Sequence, residues 1–153
     1  MSLTEGDNAP DFTLPASFGR TVSLKGQNGK PFVLYFYPKA DTPGCTKEAC
    51  AFEESLPEFK DIAVIGVSPD AIAPIETFAT KFNLTFPLAA DPDNAVATAY
   101  GVWVEKSMYG RTYMGIERAT FLIDAKGKVA KIWHRVKVDG HAAAVKDAAA
   151  SLA

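Results

Sequence analysis

The stretch Pro31–Cys50, PFVLYFYPKADTPGCTKEAC, joins an apolar run directly to the chain's two cysteines, Cys45 and Cys50. Its first part, Pro31–Tyr37, is a near-continuous run of strand formers, which is typical of a strand buried on both faces. Its second part predicts a helix, because Thr42 suits the N-cap and the proline after it suits the first helical position. The stretch therefore places both thiols just beyond the carboxyl end of a buried strand.

Apolar periodicity in the rest of the chain predicts strands that alternate with helices. The predicted strands are Ile62–Ser68, Ala119–Asp124 and Val129–Val136, with shorter ones near Phe12–Leu14 and Val22–Leu24. The predicted helices lie around Ile75–Phe82, Asn94–Tyr100 and Val145–Leu152. The last two long strands flank a turn and indicate a hairpin, and the two short ones indicate an N-terminal hairpin. This order predicts one α/β domain over residues 1–153, with a mixed central β-sheet flanked by helices.

The composition argues against several kinds of function. Apolar residues make up 48% and charged residues 22% of the 153 residues, and the net charge is −2. Basic runs do not exceed two residues, so we expect no nucleic-acid binding. Apolar runs fall short of the roughly 20 residues of a membrane span, and the first ten residues do not resemble a signal peptide. We therefore predict a cytoplasmic globular protein, where thiols stay reduced and a permanent structural disulfide is disfavoured.

Cys45 is predicted in the first turn of the helix that follows the decisive strand. Ala49, Phe52, Leu56 and Phe59 are spaced to share one helix face with it. Free N–H groups and the positive end of the helix dipole favour an anion in a first turn, and the thiolate is the reactive form of a cysteine. The same pattern also fits an inert buried cysteine, so the residues alone leave both interpretations open.

Cys50 lies five residues after Cys45, a spacing that an intact helix cannot bridge. The two Cα atoms would be about 8.6 Å apart and their side chains about 140° apart around the axis. A disulfide usually needs less than about 7 Å. The two thiols can therefore react together only if the first turns unwind. Pro57 predicts a kink or break at Leu56, which would leave a short helix to melt.

A metal site and a thioredoxin-type dithiol are the other interpretations of two cysteines. Structural zinc needs about four ligands, and this chain offers the two cysteines with His134 and His141, without paired C-x-x-C spacing. We expect both histidines at the surface and no metal or cofactor. A thioredoxin-type dithiol would use C-x-x-C, whereas the spacing here is C-x4-C.

The motif P-x-x-x-T-x-x-C, formed by Pro38, Thr42 and Cys45, resembles the active-site signature of the peroxiredoxins. The longer stretch YFYPKADTPGCTKEAC is similar to the peroxiredoxin Q, or bacterioferritin comigratory protein, branch of that family. Further similarity lies in APDFTLP, in VIGVSPD and in Tyr100–Asp124, so the resemblance covers nearly the whole chain. It implies a thioredoxin-like fold and a thiol-dependent peroxidase acting on hydrogen peroxide and organic hydroperoxides.

The resemblance also implies roles for individual residues. Cys45 matches the peroxidatic cysteine, Cys50 the resolving cysteine and Arg118 the active-site arginine. Thr42 would orient the peroxide, and Pro38 would shield the oxidised sulfur. Glu48 matches a polar position that helps to hold the arginine, although a solvated charge in the first turn of the helix fits it equally well. A dithiol protein, expected to be thioredoxin, would reduce a Cys45–Cys50 disulfide, and a monomer would suffice for turnover.

Two segments depart from this picture or leave it open. Glu53 and Glu54 stand where relatives often carry an arginine before an acidic residue, which concerns the resolving half of the site. The polar and aromatic segments Glu105–Gly110 and RTYMG predict a long loop over the crevice.

Two functions compete with the peroxidase: a protein thiol–disulfide oxidoreductase, and a binding domain with incidental cysteines.

Overall fold

The computed structural model describes residues 3–152, which form nine strands and four helices. The strands are β1 (Thr13–Ala16), β2 (Arg20–Ser23), β3 (Phe32–Phe36), β4 (Ala63–Ser68), β5 (Leu88–Ala90), β6 (Trp103–Met108), β7 (Arg111–Ile116), β8 (Ala119–Ile123) and β9 (Val129–Trp133). The helices are α1 (Pro43–Phe59), α2 (Ile72–Lys81), α3 (Ala95–Ala99) and α4 (His141–Ala150). None of the helices in this part of the chain is long and apolar enough to span a bilayer.

Seven of the strands form one mixed sheet in the order β2-β1-β5-β4-β3-β8-β9. The central strands β3, β4 and β5 are parallel, and the outer pairs are antiparallel. The predicted N-terminal hairpin is confirmed as β1–β2, and the predicted later hairpin as β8–β9. Because β3 and β4 are parallel, their carboxyl ends meet at one edge of the sheet, where α1 begins.

The sheet separates two apolar clusters, which explains why β3 is apolar at every position. Phe32, Leu34 and Phe36 face one cluster, together with residues of β1, β8 and α3. Val33 and Tyr35 face the other, which is covered by α1, α2 and α4. Since successive strand side chains point to opposite faces, a strand between two cores loses the polar alternation of a surface strand.

Helix α1 buries the face that the sequence predicted. Cys45, Ala49, Phe52 and Phe59 are each at most 3% exposed. The predicted break is wrong, because α1 continues through Pro57 to Phe59. Proline costs a helix interior about 3 kcal/mol, and burial of Phe59, which lies in the same last turn, offsets part of that cost. A bond between Cys45 and Cys50 would therefore require the start of a 17-residue helix, not of a short one, to unwind.

The predicted long loop after residue 104 is also wrong, because β6 and β7 form a separate antiparallel hairpin. Its tight turn places Tyr109 and Gly110 at φ 51° and 76°, which permits a two-residue connection. Met108, Tyr109, Tyr113 and Met114 are exposed on this hairpin. With little burial to impose an alternating pattern, the sequence carries a weak strand signal there.

Candidate active site

Arg118 and Cys45 meet at the carboxyl edge of β3. Cys45 is the third residue of α1 and is 1% exposed. Arg118 lies between β7 and β8, next to Ala119, which pairs with Phe36 at the end of β3. Its Nη2 donates a hydrogen bond to the Cys45 Sγ over 3.3 Å. The strand register thus brings a permanent cation to the sulfur from a residue 73 positions away.

Glu48 holds the other arm of the same guanidinium. Arg118 Nη1 donates to Glu48 Oε1 over 2.7 Å, and Glu48 is 1% exposed. The solvated position that the sequence left open is therefore wrong, and the geometry is that of a residue that fixes the arginine. Burial raises the pKa of Glu48 to about 7 and outweighs the attraction of Arg118, which lowers it.

Thr42 and Pro38 lie in the connection between β3 and α1. Thr42 occupies the N-cap position with extended dihedrals, φ −101° and ψ 156°. Its hydroxyl does not cap the helix but donates to the Lys39 carbonyl oxygen over 3.0 Å. The lone pairs of this hydroxyl remain available to accept a further hydrogen bond. Pro38 is half-buried two residues beyond β3.

Asp70 anchors this connection, a role that the sequence analysis missed. Its Oδ2 accepts hydrogen bonds from the Ala40 backbone N–H over 2.8 Å and from the Ser68 hydroxyl over 2.9 Å. Asp70 follows β4, whose carboxyl end lies beside that of β3. An acidic side chain just after the neighbouring parallel strand is the signal that could have identified it.

Cys50 is half-buried on α1, and both cysteines are free thiols. Burial, together with the carboxylates of Glu54 and Glu53, raises the pKa of the Cys50 thiol. Cys50 is therefore held in the protonated form, which is the less nucleophilic one. Both residues lie within the same unbroken helix, in line with the distance argument from the sequence.

Glu53 ties α1 to the segment before β5. Its carboxylate accepts hydrogen bonds from the Thr85 backbone N–H over 2.6 Å and from the Thr85 hydroxyl over 2.7 Å. This contact gives a structural role to Glu53, a residue that departs from the expected family pattern. It lies three residues after Cys50, so it fastens α1 to the Thr85 segment less than one turn beyond Cys50.

Substituting Gly44 by alanine should slow the reaction of Cys45 without destabilising the fold. A Cβ at Gly44 would lie 3.3 Å from Arg118 Nη2, so the guanidinium must shift by a few tenths of an ångström. Alanine favours a helix over glycine by about 1 kcal/mol. We expect an about 3- to 10-fold slower oxidation of the Cys45 sulfur, part of the cost of a full 1 Å misplacement. Stopped-flow kinetics and thermal unfolding measure the two effects, with Ser55→Ala on α1 as control, and an unchanged rate would contradict the expectation.

The two histidines behave differently from one another. His134 is exposed, as expected, and pairs with Glu117 over 2.8 Å. His141 is not at the surface: it is 6% exposed, and its Nε2 lies 2.7 Å from the Thr120 hydroxyl. It begins α4, which packs on α1, so helix packing buries it. Residues 3–152 contain no cluster of three or more His, Cys, Asp or Glu side chains suited to a metal ion.

The geometry by itself defines a class of site. A buried cysteine in the first turn of a helix, held by an arginine at the carboxyl edge of a mixed sheet, is the arrangement of a thiol-based redox enzyme. The sequence pattern of the AhpC/TSA family matches residues 5–132. The chain therefore belongs to the AhpC/TSA family.

Relatives narrow this assignment to one branch. Peroxiredoxin Bcp of Bacillus subtilis is 48% identical over 145 residues, covering 94% of this chain and 92% of the relative. Peroxiredoxin Bcp of Escherichia coli is 43% identical over 141 residues, covering 91% and 90%. The crystal structure of a cysteine-to-serine mutant of PrxQ from Xylella fastidiosa superposes with a TM-score of 0.92 at 35% identity, covering 99% of this chain and 98% of that one. The fold is thus thioredoxin-like, and the protein is a peroxiredoxin of the Bcp/PrxQ type, a thiol-dependent peroxidase.

Proposed function

We propose that this peroxiredoxin reduces hydrogen peroxide and organic hydroperoxides with Cys45 as the attacking thiolate and Cys50 as the resolving thiol. The observation that carries the proposal is the 3.3 Å hydrogen bond from Arg118 Nη2 to the Cys45 Sγ. A permanent cation beside a buried sulfur favours its anionic form, and the thiolate is the nucleophile.

In the first step, Cys45 attacks one oxygen of the hydroperoxide. The S–O bond forms, the O–O bond breaks, and the sulfur becomes a sulfenic acid while water or an alcohol leaves. Charge develops on the leaving oxygen, and fixed donors must stabilise it. Arg118 supplies a charge that is held in place by Glu48, so little reorganisation is needed at the moment of reaction.

Thr42 and Pro38 would shape the space in which the peroxide binds. The Thr42 hydroxyl is fixed by its hydrogen bond to the Lys39 carbonyl. It can accept a hydrogen bond from the peroxide and so align the O–O bond with the sulfur. Pro38 borders the same connection and would limit access of water to the sulfenic acid. Both roles follow the family signature, and both residues lie in the connection that leads into α1.

In the second step, the start of α1 unwinds and Cys50 condenses with the sulfenic acid, releasing water. The resulting disulfide would be reduced by thioredoxin or a similar dithiol protein. Because both cysteines lie on one chain, turnover requires no second copy, and we propose that a monomer is sufficient. Glu53 keeps the following turns attached to Thr85 during this change.

A related protein supports the organic substrates. The bacterioferritin comigratory protein of Xanthomonas campestris, whose structures are described for its alkyl peroxide reduction activity, is 42% identical to this chain. The two structures superpose with a TM-score of 0.87, covering 92% of this chain and 90% of that one. We therefore include alkyl hydroperoxides among the proposed substrates.

A single-turnover titration of the reduced protein with hydrogen peroxide tests the proposal. One equivalent should remove two thiols and leave a disulfide between Cys45 and Cys50, identified by peptide mapping, and thioredoxin with its reductase should restore both thiols. A protein thiol–disulfide oxidoreductase would instead reduce insulin disulfides and turn over peroxide slowly. Sluggish loss of both thiols at similar rates would favour a domain with incidental cysteines.

A further inference from the structure

One guanidinium lies between two acidic groups in this site. Arg118 Nη1 bonds Glu48 Oε1 over 2.7 Å, and Nη2 of the same side chain bonds the Cys45 Sγ over 3.3 Å. Glu48 and Cys45 are each 1% exposed, so water screens their charges poorly. If both were ionised, two negative charges would face one positive charge in an apolar setting.

The other titratable groups around Glu48 do not remove this imbalance. Tyr35 and Tyr37, on β3 and just after it, stay protonated because burial raises the pKa of each phenol. Burial, followed by the charge of Arg118, lowers the pKa of Lys106 on β6. Within residues 3–152, Lys106 forms no hydrogen bond or ion pair with Glu48 or Cys45. Arg118 is thus the cation that contacts both acidic groups.

The second carboxylate oxygen of Glu48 shows where a proton can be held. Oε2 is buried and has no hydrogen-bond partner within residues 3–152, and the same holds for the nearby Tyr35 hydroxyl. An ionised carboxylate with a buried oxygen lacking a donor bears the full desolvation cost of that oxygen. A proton on Oε2 removes this cost and leaves Oε1 free to accept from Arg118.

We propose that Glu48 and Cys45 share one negative charge across Arg118, so that Glu48 carries a proton while Cys45 is a thiolate and gives that proton up when the sulfur is oxidised. This inference rests on the proposed peroxidase function and deepens it. Overall, a Cys45 thiolate, a protonated Glu48 and a hydroperoxide yield a Cys45 sulfenic acid, an ionised Glu48 and water or an alcohol. The sulfur loses two electrons, which the breaking O–O bond gains. The proton from Glu48 neutralises the negative charge of the leaving oxygen.

The titration of Glu48 lies in the pH range in which such a proton exchange can occur. Burial places the pKa of Glu48 at about 7, so the carboxyl group exchanges its proton near neutral pH. Once the sulfur is a neutral sulfenic acid, Arg118 compensates Glu48 alone, which favours its ionised form. Glu48 acts through Arg118 and is therefore a positioning residue with a proton-storing role.

Infrared spectroscopy of the reduced protein tests the shared charge without peroxide. The C=O band of a protonated carboxylic acid is followed with pH and assigned by its loss in Glu48→Gln, while Glu54→Gln, an exposed change on the same helix, serves as control. In Cys45→Ser, Arg118 no longer faces a thiolate, so the band should titrate at least about one pH unit lower than in the wild type. The same midpoint in both proteins, or a band that survives Glu48→Gln, would overturn the proposal.

Oxidation then tests the release of the proton. The Cys50→Ser protein is treated with one equivalent of hydrogen peroxide at pH about 6, one unit below the pKa of Glu48. About one carboxylic acid should be lost per Cys45 oxidised, and none in Cys50→Ser/Glu48→Gln. A band that persists while the Cys45 thiol disappears refutes proton release. A thiol count that does not change refutes the peroxidase function itself, so the two failures are distinguishable.

Discussion

Replacement of Cys45 by serine should lower the rate of hydroperoxide reduction by at least about 10³-fold, as expected for removal of a nucleophile. A serine hydroxyl stays protonated beside Arg118 and cannot form a sulfenic acid. The same change should protect Cys50, because its raised pKa keeps it a thiol and no sulfenic acid is present for it to attack. Peroxide consumption coupled to thioredoxin oxidation, together with a thiol count, measures both effects.

Cys50→Ser is the matched control, because Cys50 lies on the same helix as Cys45 and its replacement should leave the oxidation of Cys45 by peroxide intact. We expect Cys45 to be oxidised at close to the wild-type rate and to stop at the sulfenic acid, with sulfinic acid forming in excess peroxide. Mass spectrometry distinguishes these products. Residual turnover in Cys45→Ser, or loss of the Cys50 thiol at the wild-type rate, would contradict the assignment of Cys45 as nucleophile.

The elements that carry strong apolar patterns were predictable from the sequence. An uninterrupted apolar run predicts strand β3, and apolar residues at i, i+3 and i+4 spacing predict the buried face of α1. Burial on a defined face imposes such patterns on the sequence. The positions of Cys45 and Cys50 on α1 follow from the same pattern. Arg118 was placed in the site by the family resemblance, since the sequence alone does not reveal that β8 pairs with β3.

What the sequence failed to predict depends on tertiary contacts. Glu48 is buried against Arg118, which reaches it from the residue just before β8, and the local pattern favours solvation of a glutamate near a helix start equally well. His141 is buried because α4 packs on α1, which no local spacing encodes. Few side chains of the β6–β7 hairpin are buried, so its sequence lacks the alternating apolar pattern that would predict two strands. Pro57 predicted a break, but the packing of Phe59 decides where the helix ends.

His141 should make the folded state less stable as the pH falls from about 6.5 to about 4. Its ring lies edge-on to Phe52 and to Trp133, with centroids 6.0 and 5.8 Å away, and Thr120 bonds its Nε2. Burial, followed by the charge of Arg118, lowers the pKa of His141 to about 4. The unfolded chain therefore binds a proton at a higher pH than the folded protein does, and acid favours unfolding.

The size of this effect follows from the displacement of the pKa. A shift from 6.5 to about 4 corresponds to about 3 kcal/mol, and screening by water in the adjoining surface cavity reduces it to about 2 kcal/mol. Glu48 acts in the opposite direction: its pKa is raised from 4.5 to about 7 in the folded protein, so its contribution to stability grows as the pH falls through that range. The pH dependence of the wild-type free energy of unfolding contains both contributions and cannot separate them.

His141→Gln separates the two contributions, because Glu48 is unchanged in it and glutamine does not titrate. At pH 7 the variant should be less stable than the wild type, since it loses the ring contacts with Phe52 and Trp133. Between pH about 6.5 and about 4 this gap should narrow by about 2 kcal/mol, as only the wild type bears the cost of keeping His141 neutral. Urea unfolding of both proteins at several pH values measures the gap. A gap that stays constant would show that His141 titrates alike in the folded and unfolded chains, and that its burial between α1, β9 and α4 does not control its charge.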